Sequence, residues 1–142
     1  MLSFLRLLFL MLALSPSRGD ADTLFRSQLA STITLATDDA REQDVLARIA
    51  WLESSYRKSV ASCRVKGDGG KSLGTFQVQP MTEADRALAC GPLPGQVDVA
   101  LRYVRRSLAT CAHLEPRDRL SLYTTGRGLA QQREARARWG AP

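Results

Sequence analysis

The sequence predicts a mainly α protein with one short β or irregular element near residues 73–79. Three observations point there. Apolar residues recur at helical spacing in 22–36, 41–56 and 97–111. Capping residues stand ahead of helical segments at Asp39 and Thr82. Between those segments the chain is glycine-dense, from Gly67 to Gly74.

The first fourteen residues have their own logic. Arg6 precedes the apolar run Leu7 to Leu14, and Ser15, Pro16, Ser17 and Gly19 follow. That is the layout of a secretory signal peptide. The run is too short to cross a bilayer, which takes about 20 residues. Residues 1–19 are therefore expected to be a leader, cut after Gly19 or Ala21, with an uncleaved anchor as the alternative. Residues 20–142 are expected to form one domain, monomeric and without a membrane span. Its place is outside the cytoplasm, in the periplasm or beyond. Loss of Arg6 and Arg18 takes the net charge from +6 to +4. A modestly basic exported protein suits the anionic bacterial envelope. The charge is too small and too scattered for nucleic acid, and no aromatic-plus-basic stripe is present.

Residues 22–36 form the first predicted helix of the domain, weakened at its end by Thr32, Ile33 and Thr34. Asp39 then caps a second, and Glu42 three residues later has capping-box spacing. After the glycine-dense loop, Thr75 to Pro80 is semi-alternating. Thr82 caps a helix over 83–90, which Gly91 stops. Pro92-Leu93-Pro94-Gly95 reads as a turn. Val97, Ala100, Leu101, Val104, Leu108 and Cys111 make the next helical stripe. Pro116 opens a short helix carrying Leu120 and Tyr123, and Leu129 to Trp139 reads as a basic terminal helix.

Cys63, Cys90 and Cys111 are an odd set, so at most one internal disulfide forms. Export favours one. Cys90–Cys111 is the expected pair, leaving Cys63 free; the short linker after Cys90 makes that geometry tight.

Glu53 is the most informative residue. With Val45 at zero and about 100° per residue, Glu53 falls near 80°, between Ile49 and Leu46. A carboxyl in an apolar stripe loses water, and desolvation raises its pKa. An acid that stays protonated near neutral pH can protonate a leaving oxygen. The competing reading is a helix end, where the stripe meets solvent.

Glu53-Ser54, then Gly74-Thr75-Phe76-Gln77, then Tyr123-Thr124-Thr125-Gly126 resembles the lysozyme-like soluble lytic transglycosylases. In that family a helix ends in Glu-Ser, a Gly-Leu-Met-Gln-like segment follows, and a Tyr-Asn-x-Gly-like stretch lies near the C-terminus. The resemblance covers roughly residues 40–128; the three motifs count together, in this order, and none is specific alone. It implies a lysozyme-like fold with Glu53 as the catalytic acid and then base. It further implies that Ser54 orients Glu53 or a sugar, that Phe76 walls a cleft, and that Gln77 and Tyr123 contact substrate. The substrate implied is the glycan strand of peptidoglycan, cut between N-acetylmuramic acid and N-acetylglucosamine, with no cofactor. Thr75-Phe76 replaces the usual Leu-Met, and Thr125 replaces the usual Asn. Small exported relatives sometimes carry a cysteine near Gly128, and its absence would leave Cys63 as the odd one.

Most glycoside hydrolases use two carboxylates. Here only Asp68, in a Gly-Asp-Gly-Gly turn, competes for the second role. One acid suffices when the sugar's own 6-hydroxyl is the nucleophile, so a lyase is expected first. A hydrolytic muramidase and a silent peptidoglycan-binding domain are the rivals. Other chemistries fail. Val65 stands where a phosphate loop ending at Gly70-Lys71-Ser72 needs glycine. His113 is the only histidine, against a His-rich zinc site. Cys111 and His113 are too close in sequence for a thiol dyad.

Overall fold

The structure, a computed structural model, describes residues 1–15, 19–120 and 122–123. Its helices are α1 (Leu2–Leu14), α2 (Asp20–Ala36), α3 (Ala40–Ser54), α4 (Lys58–Ala61), α5 (Glu83–Ala89) and α6 (Leu93–Thr110). Single 3-10 turns lie at Asp68–Gly70 and Pro116–Asp118. The mainly α class is as the periodicity predicts. Among the described residues, β structure is limited to two isolated antiparallel bridges, Gly67 with Ser72 and Leu73 with Val78. The chain divides into two compact units, residues 1–100 and the part from Leu101 onward.

In the first unit α1 packs on both α2 and α3, and α2 packs on α3. The segment read as a leader is thus a helix whose Leu7 and Met11 are fully buried. Arg6 pairs with Asp44 and donates to the Gln43 side-chain oxygen at 2.8 Å. Arg26 of α2 donates to the Ser15 carbonyl and pairs with Asp22 at 2.9 Å. No helix among the described residues is long and apolar enough to cross a membrane.

The cap of α3 forms as read, with one variation. The Asp39 carboxylate accepts from the amides of Arg41 and Glu42 at 2.7 and 3.3 Å. The return arm of the box runs through Thr37, whose hydroxyl accepts from the Asp39 amide and donates to Glu42. Thr82 caps α5 through the Asp85 amide at 3.1 Å.

Two expectations need correction. Pro92-Leu93-Pro94-Gly95 is the start of α6 rather than a turn before it, with the Gly95 amide already donating to the Pro92 carbonyl. Proline in a first helical turn forfeits no intrahelical bond, so it does not exclude a helix there. The disulfide joins Cys63 to Cys90, with Cα atoms 5.6 Å apart, and the buried Cys111 stays outside the bridge. That separation lies in the ordinary range for a bridge.

In the second unit, Val104 and Ser107 of α6 are buried, as is Cys111 just after it. The Ser107 hydroxyl donates to the Arg119 carbonyl at 2.7 Å and accepts from the Tyr123 amide at 3.2 Å. The predicted terminal helix at 129–139 lies outside the described residues.

Candidate active site

The site is built on the end of α3. The helix closes at Ser55, which is left-handed at φ 50, and Tyr56 follows at φ 55. Left-handed backbone costs a non-glycine residue roughly 1–2 kcal/mol, so packing must hold it in place. Tyr56 supplies that packing. Its ring is 1% exposed, its hydroxyl donates to the Ala47 carbonyl at 2.9 Å, and the Arg26 guanidinium lies 5.0 Å over the ring. Burial pushes the Tyr56 phenol well above the usual tyrosine range, against the opposing charges of Arg26 and Arg48.

The shift has a consequence at high pH. The phenol is held neutral in the folded state, while the unfolded chain releases its proton near pH 10. The stabilisation is therefore complete below about pH 10 and is lost as pH rises beyond it. The expected result is a melting temperature that falls steeply above that pH. In Tyr56→Phe that dependence is weaker, and stability at pH 7 is lower by about 1 kcal/mol for the missing hydrogen bond. Thermal melts from pH 7 to 11 check this.

Glu53 lies in the last turn of α3. Its azimuth falls between Ile49 and Leu46, both fully buried, as periodicity indicates. Glu53 itself is half-buried. The residue stands at the azimuth of the apolar stripe and in the last turn of the helix. Ser54 differs from its implied role. It is 1% exposed and its hydroxyl donates back to the Ala50 carbonyl at 2.6 Å. That hydroxyl is spent on the helix and does not orient a sugar.

The glycine-dense loop and the Gly74–Gln77 turn are two narrow hairpins in succession, each closed by one antiparallel bridge. Leu73 and Val78 exchange both amide–carbonyl bonds, and the Gln77 amide donates to the Gly74 carbonyl at 3.1 Å. Gln77 is left-handed at φ 46 and half-buried. Its side-chain amide also donates to the Gly74 carbonyl, at 3.0 Å. Its other end lies against Gly67, where a Cβ would come within 2.2 Å of the Gln77 Oε1. A side chain at 67 would therefore have the flexible end of Gln77 move aside. Phe76 is 1% exposed, so it backs the turn from inside and presents no ring face to a sugar.

Asp68 accepts from the Ser72 hydroxyl at 2.6 Å and from the Gln79 side-chain amide at 3.1 Å. It is a staple of its own loop. Thr75 is fully buried, its amide donates to the Gln96 side chain at 2.8 Å, and its hydroxyl has no hydrogen-bond partner. An unpartnered buried hydroxyl costs stability that an isosteric methyl does not. Thr75→Val is accordingly expected to be neutral or to stabilise by up to about 1 kcal/mol, read by chemical denaturation.

Glu53, Ser54, Phe76 and Gln77 belong to the first unit and Tyr123 to the second. Tyr123 is half-buried. Thr124, Thr125 and Gly126 lie outside the described residues. A cavity of about 650 Å³ adjoins the end of α3, lined by Phe25, Arg26, Ser55, Tyr56, Arg57 and Lys58 among others. Its lining includes neither Glu53 nor Gln77, so it is a separate hollow. Among the described residues no group of three or more His, Cys, Asp or Glu gathers as a metal site would require.

Sequence reasoning missed Gln96. It is 4% exposed, and its carboxamide joins Thr75, Ala61 and Gly91. A signal was available: four residues before Ala100, Gln96 falls about 40° from it, at the edge of the α6 stripe, once the helix is started at Leu93.

In comparisons with protein-family models, curated proteins and solved structures, nothing matches this chain.

Proposed function

We propose that this chain is an exported peptidoglycan-cleaving enzyme, a lytic transglycosylase acting on the β-1,4 bond between N-acetylmuramic acid and N-acetylglucosamine. The observation that carries the reading is Glu53. It is a half-buried acid at the end of a helix, flanked in azimuth by fully buried Ile49 and Leu46. A carboxyl placed there can meet a substrate and exchange a proton with it. Glu53 protonates the glycosidic oxygen as the bond to C1 breaks. It then takes the proton of the muramic 6-hydroxyl as that oxygen closes the 1,6-anhydro ring. One carboxyl thus serves both steps, and no water is consumed.

Gln77 is the second contact. One side-chain proton holds the Gly74 carbonyl, and an amide has a further donor and an acceptor to offer a sugar. Its left-handed backbone supports the assignment, because strain of this kind concentrates at functional positions. Phe76 and Ser54 leave the substrate list: they hold up the turn and the helix end.

The hydrolytic alternative needs a second carboxylate to hold a water. Asp68 accepts hydrogen bonds from Ser72 and Gln79 within its own loop, which favours the single-acid chemistry. The leader reading places the enzyme at the bacterial envelope, where cleavage after Gly19 or Ala21 would take α1 off α2 and α3. Incubation of purified sacculi with the protein tests the proposal. Soluble muropeptides are expected; binding without release would favour a silent peptidoglycan-binding domain.

A further inference from the structure

Gln96 uses its whole carboxamide. Its Oε1 accepts from the Thr75 amide at 2.8 Å, and its Nε2 donates to the Ala61 and Gly91 carbonyls at 2.8 and 2.7 Å. Three segments meet there: the end of α4, the Gly74–Gln77 turn and the second residue after α5. The Cys63–Cys90 disulfide crosslinks two of the three, the α4 and α5 ends, a residue or two away. It does not reach the turn. The turn seats directly on this frame, because a Cβ at Gly74 would lie 2.1 Å from the Ala89 carbonyl oxygen and 2.9 Å from the Gln96 Oε1. A disulfide-braced frame therefore holds the turn through a hydrogen bond from Thr75, two residues before Gln77.

We infer that Gln96 is a positioning residue for the glycan, fixing the turn that presents Gln77. The inference rests on the peptidoglycan-cleaving reading of the same site. Gln96 touches no substrate. It acts by removing freedom from a turn that must meet the strand in one geometry. Misplacement of a binding group by about 1 Å can cost up to about a hundredfold in turnover efficiency.

The test compares wild type with Gln96→Met, which keeps length and removes every hydrogen bond, and Gln96→Glu, which keeps an acceptor for Thr75. Steady-state kinetics on soluble glycan strands are read beside hydrogen exchange at the Thr75 amide. For Gln96→Met, with the disulfide and helical circular dichroism intact, KM is expected to rise about tenfold with kcat changed less than about threefold. Exchange at Thr75 is expected to speed up at least about tenfold while α3 stays protected. Gln96→Glu is expected to recover affinity as pH falls, since the protonated carboxyl can again donate to one carbonyl. It also serves if the Met variant fails to fold. Wild-type KM in a variant whose Thr75 amide is loosened would overturn the positioning role and leave the proposed activity standing. A parallel fall in kcat and melting temperature, without a change in KM, would overturn it in favour of a purely structural role. A wild type that neither cleaves nor binds the strands overturns the proposed activity, and this role with it, whatever Thr75 exchange shows.

Discussion

Glu53→Gln is expected to leave the fold intact and to cut muropeptide release by roughly 10²–10⁴-fold, the range a single general acid–base contributes. The amide matches the carboxyl in size and can neither give a proton to the leaving oxygen nor take one from the attacking hydroxyl. Because Glu53 is half-buried at a helix end, the stability change should stay within about 1 kcal/mol. Retained melting temperature with lost turnover separates a chemical role from a structural one. Glu53→Asp keeps the proton and withdraws it by one methylene, so its activity is expected to fall between the two.

Removing the disulfide has the largest expected effect on stability. Cys63 and Cys90 are 27 residues apart in sequence, and closing a loop of that length corresponds to about 3.5 kcal/mol in the chain-entropy account. Replacing both cysteines by serine is expected to lower the melting temperature by about 10–20 °C for a chain of this size. Reductant should do the same to the wild type. Cys111→Ala should cost much less, since it removes one buried sulfur and no crosslink. Thiol labelling distinguishes the pairings: the folded wild type should label slowly, and the unfolded, unreduced protein should yield one thiol, at Cys111. A thiol at Cys63 instead would show the pairing to be wrong.

The sequence carried what depends on neighbours in the chain. Asp39 and Thr82 were legible as caps because capping is settled within four residues. The azimuth of Glu53 was legible because a helix has a fixed period. Its degree of burial was not, because that depends on what covers the last turn. Motif position points Ser54 and Phe76 toward substrate, whereas burial turns Ser54 back on its helix and Phe76 inward. The disulfide partner of Cys90 depended on where α4 and α5 end in space. Gln96 was hidden by its own context: Pro92-Leu93-Pro94-Gly95 reads as a turn until α6 is seen to begin inside it.

In the proposed reaction one carboxyl, Glu53, drives cleavage with the sugar's own hydroxyl as nucleophile. The measurement that meets it most directly is mass spectrometry of purified peptidoglycan digested by the wild type and by Glu53→Gln. Muropeptides ending in 1,6-anhydro-muramic acid are expected from the wild type, and no such products from Glu53→Gln. Reducing-end products, one water heavier, would contradict it and turn attention to a second carboxylate.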